Sequence, residues 1–423
     1  MKKSIDKKIL NQVAEYFKFM YVPTSVVGPI RRISAKKLKT VHENVDISRE
    51  VLFLIMTNLT STYTSYEKSD RGSREESGFK RLNSQILSSE TRVGSKYPYA
   101  KGLKLLQEEG IIEMGLDYSV SQKRSREFRI APKYFNFKVS KVKPTQEFSK
   151  RVLSRKEREF SGSFIGSDIA TEFLRNRDRV TLPSEKETEE ILLEAVKNDF
   201  RNRDGKKLKK RGKNRRELCG EFVYLEDYLN MYYIYKECFT IPKITGERAG
   251  NRVITPLNML PKVIRDHVKI DGEKIVGLDF ICLHPNEVTA IYRGIGDMVT
   301  HDKVSEYLGI SREQAKIEHL SFFNKEWDKM YISPLFKYYI DKDPRMMERV
   351  FEDKRKNGYR STSRKMFSLE TQLMEEITRR FRELGIVGIY VFDAMYVKGS
   401  VAKEAEKIMN EVAKSFGINT KIG

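Results

Sequence analysis

The sequence predicts an α+β protein with a mainly helical N-terminal part, and three observations carry that prediction. In residues 246–423, strand-like apolar runs alternate with helical ones. In residues 1–135, amphipathic helical patterns lead into a helix, a short strand, a basic tip and a second strand. Between them, residues 136–245 read as a basic connecting region with helical stretches and no strand-rich block.

The N-terminal pattern is sharpest at YPYAKGLKLLQEEGIIEM, residues 97–114, where Leu103, Leu105 and Leu106 share one broad face of a helix. Gly110 stands where a helix ends. IIEM is expected as a strand, GLDYSVSQKRSRE as a polar tip, and EFRIAPKYF as the returning strand. That is the order of a winged helix. Its helix would enter a groove while Lys123, Arg124 and Arg126 on the wing meet phosphates. An amphipathic helix on an ordinary β-hairpin would give the same pattern.

In the connecting region, SEKETEEILLEAVKNDF (184–200) opens at a Ser cap with acidic residues in its first turn. GKKLKKRGKNRR (205–216) carries eight cations and two glycines. It is expected as an exposed loop, either tracking a nucleic-acid backbone or simply solvated.

Charge narrows the function classes. Eighty Lys and Arg against 59 Asp and Glu leave a net charge of +21, which suits a polyanionic partner. No apolar run approaches the ~18 residues of a membrane span. Three cysteines (Cys219, Cys238, Cys282) have neither metal-ligand nor disulfide-framework spacing, so a reducing, cytoplasmic setting is expected.

The chemistry gathers at two aspartates. KIVGLDF ends an apolar strand, Ile275, Val276 and Leu278, on Asp279, before a turn at His284-Pro285 and a helix. IVGIYVFDAMYVKGS reads as a hairpin with Asp393 at its bend. Two strand-borne carboxylates, 114 residues apart, can meet in one antiparallel sheet. Such a pair suits two magnesium ions, or manganese in their place, completed by triphosphate oxygens. Between the aspartates, Ser311 caps a helix on which Arg312 and Lys316 lie four apart on one face, continued by Leu320 and Asn324. Two cations one turn apart can grip a triphosphate. A solvated surface helix is the alternative.

Asp279, the Arg312–Lys316 helix and Asp393, in that order, resemble the motifs of family A DNA polymerases and the related single-subunit phage-type RNA polymerases. The resemblance covers roughly residues 265–423 and extends to Gln372 on SLETQLMEEITRRF. The run 251–280 is similar to one in polymerase-like replication proteins of phages and mobile elements, with Arg252 and Arg265 at its basic positions. The resemblance implies a right-hand polymerase palm, an antiparallel sheet, with helical fingers, preceded by the winged-helix-like region and a thumb-like connecting region. It implies Asp279, Asp393 and the backbone carbonyl of Phe280 as metal ligands. Arg312, Lys316, Phe280, His284 and Leu320 would lie at the nucleotide, with Lys316 also protonating the leaving pyrophosphate. Gln372, Arg252, Arg265 and Asn324 would lie at the nucleic acid. The implied partners are primer-template and nucleoside triphosphates, with no proofreading site and a monomeric chain. The sequence departs from the family at three places: Phe392 and Ala394 flank the hairpin aspartate, Asn324-Lys325 replaces Tyr-Gly, and His284 holds the position near the incoming sugar. A DNA polymerase of a phage or mobile element is the leading expectation, with an RNA polymerase or primase on the same palm, a non-catalytic replication initiator and a metal-dependent nuclease as the alternatives.

Overall fold

A computed structural model of the chain describes residues 7–61, 79–117, 125–134, 138–164, 167–202, 205–210, 222–237 and 241–423. It divides into two compact units whose segments interleave. The first holds Met1–Ile165, Leu182–Ile241 and Met259–His267, and the second Gly166–Thr181, Pro242–Asn258 and Val268–Gly423.

The first unit is organised by helix Val45–Ser61, whose run Val51 to Met56 is wholly buried. A helix apolar all round must be covered all round. Helix Tyr99–Glu108 packs on it through Leu103, Leu105 and Leu106. Gly102 lets the two helices approach, since a Cβ there would stand 2.7 Å from the Ile55 Cδ1. The expected strands are Ile112–Met114 and Glu127–Ile130, and Lys80–Arg81 joins them in an antiparallel sheet with Glu127–Ile130 in the centre. Helix Ser84–Glu90 precedes the Leu103-bearing helix. Lys123 and Arg124 lie outside the described residues. Arg126 is exposed and paired with Asp117 at 2.8 Å. Helix Glu185–Lys197 opens at Ser184 with a full capping box to Glu187. It packs on helix Leu225–Glu237, and the Tyr232 hydroxyl donates to the Pro183 carbonyl at 2.8 Å.

The second unit is built on a five-stranded antiparallel sheet. In spatial order its strands are Ile389–Val391, Ala394–Lys398, Glu273–Asp279, Lys269–Ile270 and Val180–Thr181. Residues 166–181, read as connecting region, thus supply an edge strand here. They also supply helix Asp168–Arg175, whose first turn is held by Glu375: Ser167 Oγ donates to it at 2.6 Å and Ile169 N at 3.0 Å. Glu375 lies on helix Ser361–Glu383, the longest described, which buries Met366, Glu370, Leu373, Met374, Ile377 and Phe381. That i, i+4, i+7 spacing is the core stripe of an amphipathic helix. A second core, with Phe322, Phe323, Met330, Tyr339 and Met346, joins the shorter helices between residues 283 and 357. Among the described residues, no helix is long and apolar enough to cross a membrane.

The aspartate strand differs from its expected form. Of Ile275, Val276 and Leu278 only Leu278 is buried, Val276 is 43% exposed, and Asp279 is exposed. One face of this strand is open, so the desolvation cost expected of Asp279 is absent there. Two carboxylates with no exposed surface lie elsewhere in the unit, at Glu287 and Glu370.

Gly250 sets the approach of its loop to the long helix. Its φ is +70°, and a Cβ there would stand 2.5 Å from the Phe367 carbonyl carbon. Gly250→Ala is expected to cost about 2 kcal/mol or more, combining left-handed strain with a backbone clash. Urea unfolding of this unit, followed beside wild type, would read that cost as a lower midpoint at unchanged slope.

Candidate active site

Backbone register brings the two aspartates together. Asp279 pairs directly with Ala394, and Val391 pairs with the same Ala394 across the hairpin. Phe392 and Asp393 therefore form a two-residue bend beside the end of the aspartate strand. Directly opposed residues have Cα atoms about 4.5–5.5 Å apart, so Asp393, one residue from Ala394, is a near neighbour of Asp279. Both sit at the open end of the strands, Asp279 exposed and Asp393 partly so.

The bends beside both aspartates are strained. Phe392 has φ +55° and Cys282 has φ +49°, a region bulky residues rarely enter. Such strain persists only where surroundings over-determine it. At Phe392 the surroundings are Tyr390, 6.5 Å away centroid to centroid, and the Arg252 guanidinium, 5.6 Å from its ring. At Cys282 the helix Leu283–Ile291 begins, with His284 and Pro285 inside its first turn.

Beyond Phe280 the strand meets the last residues of the chain. Gly423 N donates to the Asp279 carbonyl at 3.1 Å, and Ile281 N donates to the Lys421 carbonyl at 2.9 Å. This bridge uses the carbonyl of Asp279, not that of Phe280.

Behind the aspartates lies a buried network that the sequence reading missed. Glu370 has no exposed side-chain surface and bonds both Arg252 and His284, the latter at 2.7 Å. His284 Nε2 also lies 3.1 Å from Arg252 Nη2. One nitrogen cannot donate to Glu370 and accept from Arg252 at once, so the tautomer of His284 decides which of the two contacts is its hydrogen bond. Burial would raise the Glu370 pKa, but the His284 bond and the Arg252 charge hold it below the ordinary value. Arg252 also stacks on Phe367 at 3.8 Å. Arg252, expected on nucleic acid, is thus turned inward, where two buried or bonded partners hold its charge. His284 likewise is a network member rather than a free turn residue.

Glu287, one helical turn after His284, is fully buried, and neither of its oxygens has a hydrogen-bond partner. Burial, and then the Glu370 charge, push its pKa well above the ordinary value, with Asp393 adding in the same direction. Tyr390 feels the same field: burial first, then Glu370 and Asp393, raise its phenol. The carboxylates of Glu287, Glu370 and Asp393 therefore form one electrostatic cluster with Arg252 as a counter-charge. The acidic positions were in plain sight in the sequence, but only the helix phases show that they turn inward.

The cationic helix forms as expected, over Arg312–Ser321, with Ser311 in a capping box to Gln314. Arg312, Lys316 and Leu320 are exposed on it, and Arg312 pairs with Asp302 at 3.0 Å. The helix lies within electrostatic reach of the aspartate strand's continuation. Burial pushes the Cys282 thiol up to about 11, and the charges of Arg312 and Lys316 oppose that rise. His319, on the inner face, holds the helix in place through His301, at 3.1 Å, and the Tyr339 hydroxyl, at 2.8 Å. Asn324 is bonded by Ser363 from the long helix. Gln372 is exposed and bonds Ser368 at 3.2 Å; two residues from Glu370, it faces about 200° away around the helix. Arg265 belongs to the other unit, where it donates to the Leu260 carbonyl at 3.2 Å.

Among the described residues no group of three or more His, Cys, Asp or Glu is arranged to hold a metal. The pair fits a magnesium site of another kind, in which one or two carboxylates act with substrate phosphates rather than as a protein cage. The register makes Asp279 and Asp393 neighbours at an open strand end, which is compatible with such a site.

No family model matches the chain, and no curated protein matches it. Among solved structures it is similar to the "POL domain of Pol1 from M. smegmatis complex with DNA primer-template and dNTP". The TM-score is 0.36 at 9% identity, over 65% of this chain and 72% of that one.

The burial of Glu287 has a pH signature. An acid whose folded pKa is raised stabilises fully below its unfolded value, and that stability declines as pH climbs toward the folded value. Between pH 5 and 8, wild type should lose up to about 1.4 kcal/mol per pH unit relative to Glu287→Gln. Parallel denaturation curves with the same slope in both proteins would contradict a neutral, buried Glu287.

Proposed function

We propose that this chain is a template-dependent nucleotidyltransferase, a DNA polymerase that extends a primer without proofreading. The observation that carries the proposal is the register that seats Asp279 beside the Asp393 bend, with the charges of Arg312 and Lys316 felt at Cys282, three residues after Asp279. A nuclease needs the carboxylates but not two exposed cations one helical turn apart.

In this reading Asp279, Asp393 and the Phe280 carbonyl would hold two magnesium ions, which would supply Lewis-acid activation of the primer hydroxyl and stabilisation of the leaving oxygen. Arg312 takes the triphosphate as a fork and Lys316 as a point charge, neutralising charge that develops on the phosphates. Lys316 can donate a proton to the departing pyrophosphate. The Glu370 network keeps the hairpin and the helix after Asp279 at fixed spacing, so that both carboxylates are presented before substrate arrives. His284, half-buried and tied to Glu370, presents a rigid imidazole on the nucleotide side.

The first unit supports a winged-helix reading. Its elements run helix Val45–Ser61, strand Lys80–Arg81, helices Ser84–Glu90 and Tyr99–Glu108, then two strands, with the last strand central in the sheet. This is the order of a module that delivers a helix to a duplex groove.

Primer extension tests the catalytic reading. Wild type should extend a primed DNA template with dNTPs in magnesium. Asp279→Asn and Asp393→Asn should each lower the rate by about three orders of magnitude or more, the several kcal/mol that a metal supplies. An Asp393→Asn variant that extends primers at the wild-type rate would sink the assignment. In the same assay Arg312→Ala should chiefly raise KM for dNTP. Lys316→Ala should lower kcat by about 10²-fold or more, because a general acid acts in the transition state.

A further inference from the structure

The first unit carries a cavity of about 470 Å³, remote in sequence from both aspartates. Its walls are the serines and Gln85 of helix Ser84–Glu90, with Arg92, Tyr97, Tyr99 and Arg155. Every one of these side chains can donate a hydrogen bond, and none is a carboxylate. The nearby acid, Glu90, is turned away: it is buried and paired with Lys156 at 2.8 Å and with Asn58. Arg155 has a long pair, 3.8 Å, with Glu159. Arg92 donates through Nε to the Gly94 carbonyl at 2.9 Å, which holds the guanidinium near the Tyr97 ring, 5.5 Å from its centroid. Tyr97 is 51% exposed, an amphipathic ring left at the rim.

Two guanidinium forks, hydroxyls and phenols around an open cavity are the chemistry of a phosphodiester seat. We propose that this cavity binds the sugar–phosphate backbone of duplex DNA, with Arg92 and Arg155 on phosphate oxygens. The duplex form rests on the winged-helix reading, because the cavity lies where helix Ser84–Glu90 meets the start of helix Tyr99–Glu108. A contact here fixes that second helix on the backbone rather than reading bases. The contacts differ from those expected at the wing, since they use the turn between the helices and a residue of helix Glu147–Phe164.

Fluorescence anisotropy of the full chain with a labelled DNA duplex, between 50 and 200 mM salt, tests this. Arg92→Gln and Arg155→Gln should each weaken duplex binding about 5- to 10-fold and lower the salt slope by about one; the double variant should lower it by about two. Ser89→Asp, a surface change that places an anion on the wall, should weaken binding similarly, and Lys186→Gln should not. Unchanged thermal midpoints separate these effects from unfolding. If primer extension fails but the arginine variants still lose duplex binding, the catalytic reading falls and this one stands. Three results overturn it: unchanged affinity and slope in the double variant, equal losses on a single strand of the same length, or full competition by millimolar inorganic phosphate.

Discussion

An ionised carboxylate with no exposed surface must be paired, and the second unit is organised around one that is. Glu370 draws Arg252 from the loop before the sheet and His284 from the helix after the aspartate strand. Arg252 in turn lies against Phe367 and the hairpin residue Phe392. Four segments distant in sequence are thereby tied to one ion group. Breaking such a pair from one side typically costs about 3–5 kcal/mol, because a buried charge is left uncompensated. The geometry of both aspartates inherits that constraint, since each is only a few residues from a member of the network.

Strand pairing supplies the rest. Side chains alternate along a strand, so a one-residue slip in the pairing of Asp279 with Ala394 would send the carboxylate to the other face. Gly277 helps hold the register, because a Cβ there would stand 2.9 Å from the Tyr396 ring that lies across it. The strained bend at Phe392 is the local cost of turning the chain within two residues. Its ring contacts offset that cost.

Much of this was legible in the sequence because it depends on short-range patterns. The hairpin around Asp393, the Ser311 and Ser184 caps, the helix carrying Arg312 and Lys316, and the helix ending before Gly110 all follow from local spacing. What was not legible depends on which way a face turns. Val276 looked buried because it sits in an apolar run, but the sheet leaves its face open. Glu287 and Glu370 sit on helices whose inward phase no local pattern announces, and only tertiary packing makes them interior. Arg252 looked like a nucleic-acid contact for the same reason. Residues 166–181 carry weak strand and helix signals, and their place beside the sheet follows from Glu375, a long-range cap that no local pattern announces.

The residues that flank Asp393 acquire a physical meaning from this packing. A histidine before the aspartate would bring a polar ring to the bend; Phe392 instead faces the Arg252 guanidinium and Tyr390. Ala394, where a glutamate would add a further negative charge, sits directly opposite Asp279. Three carboxylates already share one field there, with Glu287 raised by both Glu370 and Asp393. A fourth beside them would add repulsion without another counter-ion in the network. The small, apolar residue at 394 and the aromatic one at 392 thus suit a site whose inward-turned acids are Glu287 and Glu370, while Asp279 and Asp393 stay open to solvent at the strand ends.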